Sequence, residues 1–106
     1  MSVRRPRIRL ARDADRDYED IGLYTRRVWG AAQKARYQAA LAQVLRSVRD
    51  HPLIGQARDD LFPGCRSVSA EHHDIYYHQP RPDEIEVVRI LHSRQDPTGN
   101  VAEPTS

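Results

Sequence analysis

The sequence predicts an α+β fold in which an antiparallel helical hairpin packs on a small, mostly antiparallel, four-stranded sheet, in the order β-α-α-β-β-β. The first observation is that apolar residues alternate near the start of the chain, recur every three or four positions over residues 13–50, and alternate again after residue 64. The second is that short connections join the segments, which makes successive helices and successive strands antiparallel neighbours. The third is the length, because 106 residues can form one sheet-and-helix core in a single domain.

The first strand and the first helix are predicted from a change in this period. Between Arg5 and Leu10, Ile8 and Leu10 point one way and the arginines the other, as in a half-buried strand. A helix follows from Asp13, because apolar residues recur at helical spacing and acidic residues lie in its first turn, where the helix dipole favours them. The predicted apolar face comprises Ala14, Tyr18, Ile21, Thr25 and Val28, with Tyr24 beside it.

A second helix is predicted from Ala31 to Asp50. Gly30 separates it from the first helix, and His51-Pro52 ends it, because the residue before a proline disfavours helical backbone. The apolar stripe of this helix comprises Tyr37, Leu41, Val44, Leu45 and Val48. The segment from Leu53 to Gly64 is predicted to be a loop, bounded by a glycine near its start and a Pro-Gly turn at its end.

Three short strands complete the predicted sheet, at Cys65 to Ala70, His73 to His78 and Glu84 to His92. In the last strand, positions 85, 87, 89 and 91 are predicted on one face and positions 86, 88, 90 and 92 on the other. Both faces carry apolar residues, so this strand is predicted to be central. An arginine in its middle, Arg89, then needs an acidic partner or a site to open onto, because a buried unpaired cation is strongly destabilising.

The domain is predicted to span residues 1–92. Residues 93–106 have no apolar periodicity and are predicted to form a flexible C-terminal tail. A basic block of Arg4, Arg5, Arg7, Arg9 and Arg12 opens the chain. It would attract phosphate or carboxylate, but no recognition helix or aromatic–basic platform accompanies it, so direct DNA binding is not favoured as the primary role.

Composition argues against several classes of protein. The chain has no run of about 20 apolar residues, so no membrane span is expected, and no apolar segment follows the N-terminal arginines, so no secretory signal is expected. The single cysteine, Cys65, cannot form an internal disulfide and fits a reducing cytoplasm. Cys65, His72, His73 and His78 lack the spacing of a metal site, so neither a metal nor another cofactor is expected.

Short sequence words, taken in order over residues 8–96, carry a resemblance to a known family. They are Ala14, Asp17, Ile21 and Tyr24-Thr25; Trp29-Gly30, Gln33 and Tyr37; His51-Pro52 and Gly55; Gly64-Cys65-Arg66; His73 and Tyr77; and Arg89-Ile90-Leu91-His92. In these words and in the order of its elements, the sequence resembles the ParE branch of the RelE/ParE superfamily, the toxic halves of bacterial toxin–antitoxin modules. It departs at Ala11, where relatives often place a Ser or Thr that caps the first helix.

The resemblance implies a growth-arresting, plasmid-stabilising toxin of a type II module, which inhibits DNA gyrase by binding and is not an enzyme. It also implies a cytoplasmic hetero-oligomeric complex with a ParD-like antitoxin, through which operator DNA is contacted only indirectly. No catalytic or metal-binding residue is expected. The candidate residues for binding the target or the antitoxin are Arg66, His73, Tyr77, Arg89, His92, Arg94, Arg7 and Arg9.

An alternative is a RelE-like, ribosome-dependent mRNA endonuclease. Such an enzyme needs a base, a proton donor and cations around the phosphate, here His92 or His73, Tyr77, and Arg66 with Arg89. The loop before the second strand argues against it, because Arg58 lies there beside Asp59 and Asp60, whose carboxylates repel phosphate.

A further alternative is that the same residues only hold the sheet together. Arg66 and Arg89 would then pair with Asp17 or Glu86, and His92 would donate a hydrogen bond to a backbone carbonyl. Tyr77 and Trp29 would be packing residues, the first in the core and the second at the hinge between the helices.

Overall fold

Two helices lie on one face of a five-stranded sheet in the computed structural model, which describes residues 5–104. In chain order the elements are β1 (Arg7–Leu10), α1 (Arg12–Trp29), α2 (Ala31–Asp50), β2 (Gln56–Ala57), β3 (Arg66–Ala70), β4 (His73–Arg81) and β5 (Glu84–His92). The strands lie in the order β1-β5-β4-β3-β2, with β1 parallel to β5 and the other pairs antiparallel. The predicted α+β class is confirmed. Arg4 of the basic block lies outside the described residues.

The sheet has one strand more than the four that the sequence predicts. Within the predicted loop, Gln56 and Ala57 pair with Ser67 and Arg66 and so form β2 at the edge of the sheet. Two residues are too few to show an alternating pattern, so this strand is decided by the backbone of β3 rather than by its own side chains.

A single glycine joins the helices, as predicted. Gly30 has a φ of +94°, a conformation that other residues rarely adopt, so α1 ends and α2 begins without an intervening loop. At the other end of α1, Ala11 occupies the N-cap and makes no side-chain cap, as its side chain requires. Within residues 5–104, no helix is long and apolar enough to span a membrane.

The main core lies between the helices and the sheet. Its buried residues are Ala14, Tyr37, Leu41, Val48, Ala70, Ile75, Tyr77, Ile85, Val87 and Ile90. The predicted face of α1 contributes only in part, because Tyr18 and Ile21 pack against this core while Val28 is 47% exposed. The sequence pattern therefore identifies the helix face but not the point at which the sheet stops covering it.

A bulge in β5 changes the predicted faces of this strand. Tyr76 pairs with Arg89 and Tyr77 pairs with Val87, so β5 carries one extra residue between these pairs. After the bulge the alternation reverses: Ile90 joins Val87 in the helix-side core. The predicted assignment of faces holds through Val88 and is wrong at Ile90 and Leu91, because alternation alone cannot reveal an inserted residue. β5 is an interior strand between β1 and β4, but the middle position belongs to β4.

A second, smaller cluster covers the opposite face of the sheet. Its buried residues are Phe62, Cys65, Tyr76, Val88, Leu91 and Val101. Burial raises the pKa of the Cys65 thiol to about 11, so the thiol stays protonated at neutral pH. Val101, from the tail, is only 4% exposed in this cluster. The flexibility of residues 93–106 stays a prediction, and the described structure gives the tail one apolar anchor.

Candidate functional site

A groove of about 520 Å³ opens between the second half of α1, the start of α2, and the strand ends at His73 and His92. Two aromatic residues on its rim are largely in contact with solvent, since Trp29 is 69% and Tyr24 is 62% exposed. This feature is termed the aromatic groove. It is lined by Asp20, Ile21, Tyr24, Thr25, Trp29, Gln33, Tyr37, His72, His73 and His92.

The exposure of Trp29 contradicts the prediction that it packs at the hinge. It is the last residue of α1, and Gly30 is the entire connection to α2. Because glycine has no side chain, the connection offers nothing to cover the indole. The short hinge that favours antiparallel helices therefore also leaves the indole open for a partner.

Hydrogen bonds and ring contacts order the floor of the aromatic groove. The Tyr37 hydroxyl lies 2.5 Å from Nδ1 of His73 and accepts the backbone N–H of His72 at 3.1 Å. The hydroxyl donates to His73 in the tautomer whose Nδ1 is unprotonated and accepts from it in the other tautomer. The rings of His73 and His92 meet edge to face, with their centroids 5.4 Å apart.

The electrostatics of this floor favour neutral groups. Burial lowers the pKa of His73 below its usual 6.5, and the positive charge available to His92 and His72 lowers it further. Burial also raises the pKa of the Tyr37 phenol. At neutral pH the imidazole is therefore uncharged and the phenol protonated, an arrangement suited to holding a surface in shape.

Arg66 and Tyr77 lie together, at a loop rather than at the groove. The Tyr77 hydroxyl donates to the carbonyl of Pro52 at 2.8 Å and accepts the N–H of Gly55 at 2.9 Å. Arg66 donates from one nitrogen to the carbonyl of Gly55 at 2.6 Å. Pro52, Gly55, Arg66 and Tyr77 are together termed the latch. The predicted pairing of Arg66 with Asp17 or Glu86 is wrong, because the loop carbonyls take its place.

Arg89 is tied to the first helix. Its guanidinium donates to both carboxylate oxygens of Asp17, at 2.7 and 3.0 Å, and to the carbonyl of Asn100 at 3.0 Å. Asp17 also accepts the N–H of Ile90 at 3.0 Å. Hydrogen bonding to Asp17 raises the pKa of Arg89. The predicted acidic partner is confirmed, and this cation joins α1, the bulge of β5 and the tail.

The two arginines of β1 have different surroundings. Arg9 contacts Glu84 at 2.5 Å and Glu86 at 2.6 Å. The pKa of Arg9 is raised, chiefly by its hydrogen bond to Glu84 and further by the charge of Glu86. Arg7 is exposed and borders a shallow groove beside α2. Of this pair, Arg7 is the one with a guanidinium directed to solvent rather than to acids of β5.

His92 and Arg94 lie at the end of the sheet. Nδ1 of His92 accepts the backbone N–H of Arg94 at 3.1 Å, which is the reverse of the predicted donation to a carbonyl. The Arg94 side chain is exposed. The eight candidate residues therefore occupy several places, and only His73 and His92 line the aromatic groove. Their roles in binding stay predictions.

The sequence contained a signal for the groove residues that were missed. Tyr24, Trp29 and Tyr37 all belong to the sequence words, but each also fits an apolar helix position. Hydrophobic spacing assigns such residues to a core. The exposure of Tyr24 and Trp29, and the position of the buried Tyr37 on the groove floor, depend on tertiary structure that spacing does not contain.

Comparison with known proteins identifies the family. The profile described as "ParE toxin of type II toxin-antitoxin system, parDE" matches residues 8–97. The chain belongs to the ParE toxin family. It is 34% identical over 92 residues to "Toxin ParE1" of Mycobacterium tuberculosis, covering 87% of this chain and 94% of the relative. It is 37% identical over 87 residues to "Toxin ParE" of Escherichia coli, covering 82% and 84%. The predicted membership is confirmed.

A solved structure supports the fold. The "Chromosomal ParDE TA system from P. aeruginosa" superposes with a TM-score of 0.70 at 17% identity, covering 82% of this chain and 95% of that chain. Within this ParE family member, the residues that carry the resemblance divide into two groups. One group, which includes the latch, Asp17 and Arg89, forms hydrogen bonds within the fold. The other group, which includes Tyr24 and Trp29, lines the aromatic groove.

Proposed function

We propose that this ParE-family toxin inhibits DNA gyrase by binding it, makes and breaks no covalent bond, and is neutralised by a ParD-like antitoxin. The observation that carries the proposal is the division just described. Tyr77 and Arg89, two of the groups that a nuclease would use, are bonded inside the fold, while large aromatic residues border an open groove. This arrangement suits a binding protein better than an acid–base catalyst.

The distances between the candidate catalytic groups support a non-enzymatic function. Tyr77 follows His73 by four positions on β4, a separation of about 13 Å along a strand. The Tyr77 hydroxyl is engaged by Pro52 and Gly55, and Arg89 is neutralised by Asp17. A phosphate held between the histidines and this tyrosine would therefore find the tyrosine proton already donated and one of the two clamp arginines, Arg89, already paired.

The aromatic groove is the proposed seat of the antitoxin. An amphipathic helix of the antitoxin would place its apolar face against Tyr24 and Trp29, because aromatic side chains at the rim of a groove are effective anchors. Arg7 remains available for its carboxylates, whereas Arg9 and Arg89 already have acidic partners. The toxin would reach operator DNA only through the antitoxin, in a hetero-oligomer within the cytoplasm.

One pair of assays tests this function. The purified chain is added to DNA gyrase in a supercoiling assay and to ribosomes translating a defined messenger RNA. The proposal predicts that supercoiling is inhibited, that the transcript stays intact, and that a ParD-like antitoxin restores supercoiling. Cleavage of the transcript with normal supercoiling would contradict it and would favour the RelE-like alternative. Arg94 was predicted to bind the target or the antitoxin and is exposed beside His92, so it is the first residue to vary as a gyrase contact.

A further inference from the structure

Two large apolar side chains project from the turn between α2 and β2. Leu53 is 73% exposed and Ile54 is 51% exposed. They are termed the tip. Neither belongs to the sequence words, and neither takes part in the main or the second apolar cluster of the described residues. A contiguous pair of exposed aliphatic residues is therefore held in solvent at the end of a helix.

The backbone beneath the tip is held in one conformation. The turn closes with the N–H of Ile54 donating to the carbonyl of His51 at 2.9 Å. The latch then fixes the residues on both sides, because Tyr77 bonds to Pro52 and Gly55. Arg66 adds hydrogen bonds to the carbonyls of Gly55 and Leu53, at 2.6 and 3.3 Å. A fixed backbone reduces the entropy that a bound partner must remove.

Gly55 shows how closely the turn approaches the sheet. A Cβ atom at this position would lie 2.7 Å from the Tyr77 hydroxyl oxygen and 2.8 Å from the carbonyl oxygen of Ser67. The backbone of Ser67 cannot move aside without disturbing β3. The close approach therefore needs a glycine, and its effect is to hold Leu53 and Ile54 outward rather than to bury them.

We propose that the tip is a contact of the toxin with its protein target and inserts into an apolar pocket bordered by carboxylates. This inference rests on the proposed function, since it presupposes that the toxin acts by binding a protein. The negative charge of the partner's pocket is inferred from Arg66, which lies beside the tip. This arginine bonds to carbonyl oxygens and, among residues 5–104, lies within 4 Å of no carboxylate, so its positive charge beside the tip stays unneutralised.

Position and size distinguish the target from the antitoxin as the occupant. On α2 the aromatic groove extends to Tyr37 and the tip follows Asp50, so about 20 Å of helix separates the two. The groove offers a continuous rim for a stable partner. Two side chains offer a small area, which is typical of a transient contact.

The test compares two variants of the full chain. Leu53→Ser with Ile54→Ser removes the apolar tip, and Leu23→Ser is the matched control, since Leu23 is a leucine of similar exposure, 53%, that does not line the aromatic groove. Inhibition of purified gyrase, growth arrest on expression, affinity for a ParD-like antitoxin, and sedimentation are measured for each. The tip variant should inhibit gyrase at least about tenfold less potently and bind antitoxin within about twofold of wild type.

The outcomes separate this inference from the proposed function. Unchanged inhibition by the tip variant overturns the tip as a target contact and leaves gyrase inhibition standing. If the tip variant binds antitoxin more weakly but inhibits gyrase normally, the tip contacts the antitoxin. If sedimentation shows a dimer that only the tip variant loses, the tip contacts a second copy of the chain. Either result overturns the proposal. If the wild type does not inhibit gyrase, the proposed function fails. Growth arrest then tests whether the tip contacts a protein target. The inference is overturned if the tip variant still arrests growth, or if the wild type does not arrest it.

Discussion

Two tyrosine hydroxyls make similar hydrogen bonds with different consequences. Tyr37 lies near the start of α2, and Tyr77, on β4, lies beside the turn that follows α2. Tyr77 bridges the carbonyl of Pro52 and the N–H of Gly55, so both of its partners are backbone groups. Tyr37 bridges the N–H of His72 and Nδ1 of His73, so one of its partners is a titratable ring that lines an open groove. The first hydroxyl fixes the shape of a loop. The second fixes the shape of the floor of the aromatic groove through a bond that depends on pH.

The difference teaches that a sequence word does not by itself report a binding residue. The polar groups of the latch and of the Asp17–Arg89 pair form hydrogen bonds within the fold, whereas Tyr24 and Trp29 present large apolar surfaces to solvent. Substitutions in the first set should therefore lower stability, and substitutions in the second should lower affinity.

Replacing Arg89 by methionine should lower the free energy of unfolding by about 3 kcal/mol. The change leaves the Asp17 carboxylate, whose side chain is 14% exposed, with a hydrogen bond from the N–H of Ile90 and without its paired cation. Urea titration measures the loss. Arg94→Met is the control, because its side chain is exposed, and it should stay within about 0.5 kcal/mol of wild type. Equal effects of the two substitutions would contradict the assignment of Arg89 to the fold.

Replacing Gly55 by alanine should lower the free energy of unfolding by about 2 kcal/mol. The added Cβ would overlap the Tyr77 hydroxyl and the carbonyl of Ser67, so part of the latch must open. Gly22→Ala is a matched control on α1. There the Cβ would meet the end of the flexible Gln38 side chain, at 2.9 Å, and alanine favours helix, so thermal unfolding should show little loss or a gain. A neutral Gly55→Ala would argue against a rigid latch.

Replacing Trp29 by alanine should weaken antitoxin binding about 30-fold, or about 2 kcal/mol, while stability changes by less than about 0.5 kcal/mol. The indole is 69% exposed and packs little within the isolated chain. Calorimetric titration with a ParD-like antitoxin gives the affinity. Leu23→Ser serves again as the control, and it should bind normally. A loss of stability with unchanged affinity would return Trp29 to the packing role that its sequence position suggested.

Acidification should destabilise the toxin slightly through His73. The folded-state pKa of His73 lies below its unfolded value of 6.5, so the unfolded chain takes up the proton first as the pH falls. The stabilising contribution is complete above pH 6.5 and is lost as the pH falls from 6.5 through the lower, folded-state pKa. Unfolding curves at several pH values should show this slope, and His73→Gln should reduce it. An unchanged slope in the variant would assign the pH dependence to other groups.

The sequence predicted the elements well because apolar period and short connections depend on local residues. Both helices, the hinge at Gly30 and the acidic partner of Arg89 followed from such patterns. β2 and the bulge in β5 did not, because each depends on how a neighbouring strand pairs. The boundaries of the helices were accordingly more predictable than the faces of the last strand.

The site was less predictable than the fold for a physical reason. Tyr24, Trp29 and Tyr37 have the composition and spacing of core residues, and only the ends of the helices decide which of them meets solvent. Two residues of the latch, Arg66 and Tyr77, were named as candidates because they are polar residues of the sequence words that carry the family resemblance. Their loop partners lie 11 to 25 positions away in the chain, so no local pattern could show that these groups were already engaged.

The most direct test of this separation is a paired measurement on Tyr77→Phe, in which urea titration gives stability and calorimetry gives affinity for a ParD-like antitoxin. Removing the buried hydroxyl leaves the carbonyl of Pro52 and the N–H of Gly55 without a partner, so the variant should lose about 2 kcal/mol of stability. Its folded molecules should bind the antitoxin within about twofold of wild type. Wild-type stability combined with a large loss of affinity would place Tyr77 in the binding surface and contradict the account.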